Sequence, residues 1–464
     1  MNYRPKFHFA PQSGWCNDPN GLVFHDGLWH LFFQFHPHSL EWGPMHWGHA
    51  VSRDLVAWEE WPIALAPDEL GTIYSGSASL ADDGKIVACF THHSENGEAQ
   101  SLAFSGDGGR NFEKFAGNPV LTSDSKDFRD PKIWKMGQSW KMIVAAGRVA
   151  QIFSSPDLVS WTLESEFPAP HDEWIWECPD LFLLDGKWVL LASFVVPSAP
   201  HEALFWLGEF DGKRFSPGSE PQKLSFGPDD YAAVSFNNAP DGRRILIGWM
   251  SNWAYAAKTP TENDGFRGAM TLPRELSIRD GKLCQNPVRE IEKYRGAPVD
   301  LSGAVISTNP ENAPFRHSIS GACDVELEIE TGFNDALELD FFFGAPQKIA
   351  EKNVWPEDRD LSLFLENHRG AYRARLDREG FGRAEQFAPR WAYEAFGAKR
   401  ETFKVRVLVD NCSLEIFLDN EHYGAFLVFP DAPLCAIGLS QTWFAEDVEQ
   451  TTKIVSGKIY PLEF

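Results

Sequence analysis

Asp18, Asp130 and Glu177 lie nine, seven and nine residues before three glycine turns, at Gly27, Gly137 and Gly186. They hold nearly the same phase of a repeat that runs through the first two-thirds of the chain. Symmetry of that kind brings three distant carboxyl groups to one point. Carboxyl groups gathered in pairs are the machinery of glycoside cleavage, one as a proton donor and one as a nucleophile or base. Their surroundings differ. Glu177 follows Trp174, Ile175 and Trp176 and precedes Cys178 and Pro179, a setting in which a carboxyl group loses hydration and can keep a proton to donate. Asp18 sits among Asn17, Asn20 and Gly21, a wetter setting rich in donors, which suits an ionised nucleophile.

The elements that must position these acids can be read from five segments, each a glycine turn followed by an apolar strand. The turns hold Gly27, Gly84, Gly137, Gly186 and Gly242, spaced 57, 53, 49 and 56 residues apart. Asp-Gly between apolar runs is a strong hairpin signal. A second marker keeps the same beat. Ser52-Arg53-Asp54-Leu55-Val56-Ala57-Trp58 resembles Ser155-Pro156-Asp157-Leu158-Val159-Ser160-Trp161, with Asp107 leading to Phe112 and Asp211 to Phe215 in the intervening and following units. A period near 50 residues with several strands per unit predicts propeller blades. A run of unrelated hairpins would not hold two markers to one period. The strand before each glycine turn is expected to line the central channel. That places Tyr74 and Ser75, Arg129 and Tyr231 around the three acids.

Beyond Asn286-Pro287, residues 288–296 read as a short helix or turn. Period-two alternation then appears at 325–330, 361–365, 405–409 and 414–418, the pattern of half-buried antiparallel strands. The fold class expected is all-β: a five-bladed β-propeller over residues 1–296, a linker over 297–305 and a β-sandwich over 306–464.

Bulk properties fit that reading. Of 464 residues, 23% are charged, 43% hydrophobic and 14% aromatic, with 18 Trp and 36 Phe. Rings suit pleated surfaces, and flat rings also cover sugar C–H faces. The net charge of −24 without a basic run argues against nucleic acid as a partner. No run of about 18 apolar residues offers a membrane span. The seven cysteines are odd in number and form no CxxC pair, and no secretory signal follows Met1. A cytoplasmic setting is expected, with a trimmed secreted form left open.

Several motifs resemble glycoside hydrolase family 32, the invertases, inulinases, levanases and sucrose-6-phosphate hydrolases. Trp15-Cys16-Asn17-Asp18-Pro19-Asn20-Gly21 is similar to that family's W-x-N-D-P-N-G signature. Phe33-Gln34-Phe35-His36-Pro37, the run from Trp42 to Ala50, Tyr74-Ser75-Gly76-Ser77-Ala78, Phe128-Arg129-Asp130-Pro131-Lys132, Trp176-Glu177-Cys178-Pro179-Asp180 and the run from Arg267 to Leu276 follow in the family's order. The resemblance covers roughly residues 7–277. It implies a retaining β-fructofuranosidase in which Asp18 is the nucleophile, Glu177 the acid/base, and Asp130 a partner of the ring hydroxyls. Arg129 would hold the acids as a bidentate partner. Asn17, Gln34, Trp42 and Ser75 would contact the terminal fructose, with Tyr74 at the same channel end and Tyr231 supporting Glu177. Two positions depart from the pattern. Cys16 stands where Met is usual, and Phe266, expected near the sugar, where Trp is usual, so substrate preference stays open.

The partner implied is a small sugar, with the chain as monomer or homo-oligomer. No cofactor is expected. No metal is expected either, although His36, His38, His46, His49, His92 and His93 lie close in sequence, because His36, His46 and His49 fall in motifs that need none. A hydrolase of phosphorylated sucrose, a fructosyltransferase and a non-catalytic fructan-binding propeller remain as alternatives.

Overall fold

The computed structural model describes residues 1–197, 199–308, 315–332, 335–344, 361–368, 371–376, 378, 381–383, 393–400, 402–441 and 451–464. Among them the helical pieces are short 3-10 turns and the rest of the regular structure is strand. No helix among the described residues is long and apolar enough to cross a membrane.

Five antiparallel sheets follow one another from residue 14 to residue 287. Each begins with a hairpin around one of the repeat glycines: Gly14–His25 with Leu28–His36, Thr72–Leu80 with Ile86–Ser94, Phe128–Met136 with Ser139–Ala146, Ile175–Leu184 with Lys187–Val195, and Tyr231–Ser235 with Arg244–Trp249. The second marker is the outer turn of the first four sheets, and one aspartate caps each. Asp54 Oδ1 accepts from the amides of Val56 and Ala57, Asp107 Oδ1 from Arg110 and Asn111, Asp157 Oδ1 from Val159 and Ser160, and Asp211 Oδ1 from Lys213 and Arg214. Short acidic side chains mimic a backbone turn in this way, so the recurrence of Asp is a recurrence of turn chemistry.

The first strands of successive sheets pack side by side, and the fifth returns to the first. Asn237 donates its amide to Leu22 O at 2.9 Å and accepts from Phe24 N at 3.0 Å. Phe266–Arg267 also crosses from the fifth unit to pair in parallel with Gly14 and Trp15. Apolar side chains between neighbouring sheets form separate clusters, such as Ile143, Ile152, Trp176, Leu190 and Trp206.

After a 3-10 turn at Arg289–Tyr294, the described residues form two further sheets. Their inner faces share one core, with Val325, Leu327 and Val407 from one sheet and Leu339, Phe341 and Leu363 from the other. The four alternating segments read in the sequence are the strands Cys323–Thr331, Leu361–His368, Phe403–Val409 and Ser413–Leu418. Residues 297–305, expected as a linker, are partly strand: Val299–Asp300 and the start of Val305–Ser307 pair with Thr451–Pro461. The bonding needs of Thr451–Pro461 draw this segment into the second unit.

Candidate active site

The cleft at the head of the first strands is lined by Asn17, Asp18, Gln34, Trp42, Tyr74, Ser75, Arg129, Asp130 and Glu177, together with His93, Glu98, Val195, His201 and Trp253. Asn17 and Asp18, Tyr74 and Ser75, and Arg129 and Asp130 are neighbours in sequence, yet all face it. In a regular strand neighbours point to opposite faces. The pairing registers resolve this: each first strand carries an irregularity here, between Cys16 and Pro19, Tyr74 and Gly76, Arg129 and Lys132, Glu177 and Asp180, and Tyr231 and Val234. A β-bulge inserts an unpaired residue and re-aims its neighbours.

In three strands the residue within the bulge has a positive φ: Asp130 at 64°, Cys178 at 46° and Ala232 at 52°. Such a conformation in a non-glycine residue costs on the order of 1 kcal/mol or more. Each amide freed from the ladder finds an acceptor: Asp130 N on Thr91 Oγ1 at 3.1 Å, Cys178 N on Asp130 Oδ2 at 2.9 Å, and Ala232 N on Ser193 Oγ at 2.8 Å. Asp130 therefore matches Cys178 in phase, and Arg129 matches Glu177 and Tyr231. Asp130 and Glu177 thus share one end of their strands, the nearly common phase read from the glycine turns, without sharing a register position.

Asp18 is held by Ser75 Oγ, which donates to Oδ2 at 2.6 Å, and by Asn17 Nδ2, which donates to Oδ1 at 3.0 Å. Asn17 is itself oriented by Trp15 Nε1, which donates to its Oδ1 at 2.8 Å. The Cys178 thiol lies 3.6 Å from Asp18 Oδ2 and 3.6 Å from Asp130 Oδ2, so a single S–H group sits between the two acids. Glu177 accepts from Tyr231 Oη at 2.5 Å and from Arg129 Nη2 at 3.0 Å. Arg129 directs Nη1 to Asp127 at 2.8 Å and to Glu98 at 3.3 Å. It is thus a bridge from Glu177 to two structural acids rather than a bidentate clamp on the reacting ones.

The hydration pattern departs from the sequence expectation. The Glu177 side chain is 18% exposed and Asp18 is likewise half-buried, whereas Asp130 is buried. Burial pushes the Asp18 carboxyl upward, opposed by the hydrogen bonds from Ser75 and Asn17. Burial also raises Asp130, to about 8, against the pull of the Arg129 charge. The aromatic neighbours of Glu177 in sequence face elsewhere: Trp176 is fully buried against Phe194 and Trp206.

Tyr74 stacks on His93 with centroids 4.3 Å apart and planes 4° from parallel, and burial lifts its hydroxyl to about 12. Trp42 stands at the rim, 49% exposed, edge-on to Tyr74. Gln34 is buried at the floor and donates to Ile73 O at 3.1 Å. Tyr231 is buried behind Glu177. Phe266, expected near the sugar, is buried under the Arg4 guanidinium and is not among the lining residues. Sequence reasoning missed Glu98, His93, Val195, His201 and Trp253. His93 and Val195 lie at the ends of second strands and pair with Thr72 and Ile175 at the starts of the first strands, so the hairpin register carried a signal for them. Trp253 and His201 come from loops and offered none.

The profile of the Glycosyl hydrolases family 32 N-terminal domain matches residues 8–287. A levanase of Bacillus subtilis is 38% identical over 473 residues, covering 93% of this chain and 67% of the relative. An invertase of Schizosaccharomyces pombe is 37% identical over 334 residues, covering 64% of this chain and 57% of the relative. Among solved structures, an exo-inulinase from Aspergillus awamori superposes with a TM-score of 0.84 at 27% identity, covering 100% of this chain and 98% of that one.

Proposed function

The chain belongs to glycosyl hydrolase family 32, and on that premise we propose that it is a retaining β-fructofuranosidase, releasing terminal β-D-fructosyl units from sucrose or fructo-oligosaccharides by double displacement. The observation that carries the proposal is one cleft lined by Asp18, Asp130 and Glu177. Asp18 attacks the anomeric carbon of fructose, while Glu177 gives a proton to the departing oxygen. Glu177 then takes a proton from water, and the hydroxide so formed displaces Asp18. Asp18 is oriented for attack by Ser75 and Asn17. Asp130, kept in part protonated by burial, exchanges hydrogen bonds with ring hydroxyls. Gln34, Tyr74 and Trp42 complete the walls around the sugar, and Arg129 and Tyr231 hold Glu177.

The five N-terminal sheets are read as the blades of a five-bladed propeller, closed by Asn237 and by Phe266–Arg267. This catalytic unit spans 1–296, with the sandwich from about 299. The cleft lining favours a neutral leaving sugar over a phosphorylated one. Among the described residues it contains no lysine, and its single arginine is engaged by Glu177, Asp127 and Glu98.

The test is hydrolysis of sucrose, 1-kestose, inulin and levan, with the first-formed fructose anomer read by NMR. Fructose release with retained β configuration is expected. Absence of release from all four, or a first product of inverted configuration, would overturn the proposal. Free fructose compared with longer fructans at high sucrose measures transfer to sugar against transfer to water.

A further inference from the structure

The segment 226–230, which leads directly into Tyr231, is bonded to the C-terminal half. Phe226 N donates to Tyr423 O at 2.8 Å and Asp229 N to Ala425 O at 3.2 Å. Leu427 N returns a bond to Asp229 Oδ2 at 2.8 Å, and Arg378 Nη1 donates to the same oxygen at 2.8 Å. The segment thus lies against the strand His422–Leu427 as an added edge. A side chain at Gly227 would meet Ala425 O at 2.3 Å, so the approach is at backbone contact.

Asp230, next to Tyr231, is gripped on both oxygens by Arg274, Nη1 to Oδ2 at 2.8 Å and Nη2 to Oδ1 at 3.0 Å, with both side chains 0% exposed. A fork of this kind fixes position and angle together. The Arg274 guanidinium sits 3.8 Å from the centre of the Tyr423 ring. Tyr423 donates its hydroxyl to Glu415, whose other oxygen meets His8 Nε2 at 3.0 Å. Tyr423 and Glu415 belong to the C-terminal half. One residue on from Asp230, Tyr231 lies buried behind Glu177 and donates its hydroxyl to it.

We infer that Asp230 and Arg274 are positioning residues for the reaction, holding the Tyr231 hydroxyl on Glu177, and that Tyr423 and Glu415 of the C-terminal half hold Arg274 in place. The inference rests on Glu177 being the acid/base. The bulge at Tyr231–Val234 leaves Tyr231 at the very start of its strand with a single ladder partner, Trp249, on that side of the bulge. Its direction is therefore set by what precedes it, and what precedes it is Asp230. The C-terminal half thereby acts on the chemistry without lining the cleft.

The readout is leaving-group dependence. Protonation by Glu177 matters for sucrose, whose leaving alkoxide is poor, and little for β-fructosyl fluoride, whose leaving group departs unaided. Asp230→Asn, which weakens the fork, and Tyr423→Phe, which deletes one hydroxyl and keeps the ring, are compared with wild type on both substrates. Gly248→Ala gives a third route, because a Cβ there would meet Asp230 Oδ1 at 2.1 Å. The expected result is a fall in kcat on sucrose roughly tenfold larger than on the fluoride for Asp230→Asn, and a smaller fall of the same sense for Tyr423→Phe and Gly248→Ala. Equal falls on both substrates, or none in Tyr423→Phe, would overturn the inference while wild type remains active. Wild type inactive on both substrates would instead overturn the assignment of Glu177 and the proposed function.

Discussion

Ser75 donates its hydroxyl to Oδ2 of Asp18 at 2.6 Å across 57 residues of sequence. This bond opposes the burial that raises the Asp18 carboxyl. Ser75→Ala removes the opposing influence, so the carboxyl rises further. Asp18 must be ionised to attack, so the acidic limb of kcat/KM moves to higher pH. Loss of one hydrogen bond to a charged group lowers kcat/KM by roughly tenfold or more. An unchanged acidic limb would show that Ser75 does not tune the nucleophile.

The two reacting acids separate by substrate. Asp18→Asn abolishes turnover of every β-fructoside, since no other group in the cleft replaces the nucleophile. Glu177→Gln loses roughly 10²-fold or more on sucrose but retains rate on β-fructosyl fluoride, and added azide yields β-fructosyl azide. Near-normal sucrose hydrolysis by Asp18→Asn would end the assignment.

Asp130 links the cleft to pH-dependent stability. Its folded value of about 8 lies above the ordinary carboxylate value of about 3.9. Between the two, the native protein holds a proton that the unfolded chain has released, so stability falls as pH rises through this window. Asp130→Asn carries no such proton. Its Tm is expected to gain on wild type steadily from pH 5 to pH 8, while its activity drops. A constant difference in Tm across those values would contradict the buried, protonated state.

His8 supplies the opposite case at the junction of the two halves. Burial alone would lower it, but Glu415 and Asp410 raise it to about 9. Its stabilisation is complete below the unfolded value of about 6.5 and is lost as pH rises through 9. His8→Gln is expected to melt well below wild type at pH 6, with the gap closing above pH 9. Thermal melts at pH 6, 7.5 and 9.5 measure it, and a gap that stays constant would rule out a charged His8.

Much of the architecture was legible because it is written in local chemistry. The repeat glycines and the capping aspartates Asp54, Asp107, Asp157 and Asp211 act within four residues of themselves, so their spacing survives in the sequence. The same held for the site: the motifs around Asp18, Asp130 and Glu177 each supply one wall of one cleft. What escaped was set by pairing. The bulges at Asp130, Cys178 and Ala232 depend on which residues of the neighbouring strand are left unmatched, and spacing along one strand does not carry that. The dry setting expected for Glu177 was inferred from sequence neighbours such as Trp176, which proves to pack against Phe194 and Trp206 instead.

By itself, then, the amino-acid order determined the strands, the turns that join them and the identity of the acids at the strand heads, since each is decided by groups a few residues apart. Tertiary structure alone decided which acid meets water, that Arg129 reaches Glu177 rather than Asp130, and that residues near 420 hold the segment delivering Tyr231. Those outcomes depend on desolvation and on hydrogen-bond partners brought together only when the sheets close on one another and the two halves dock.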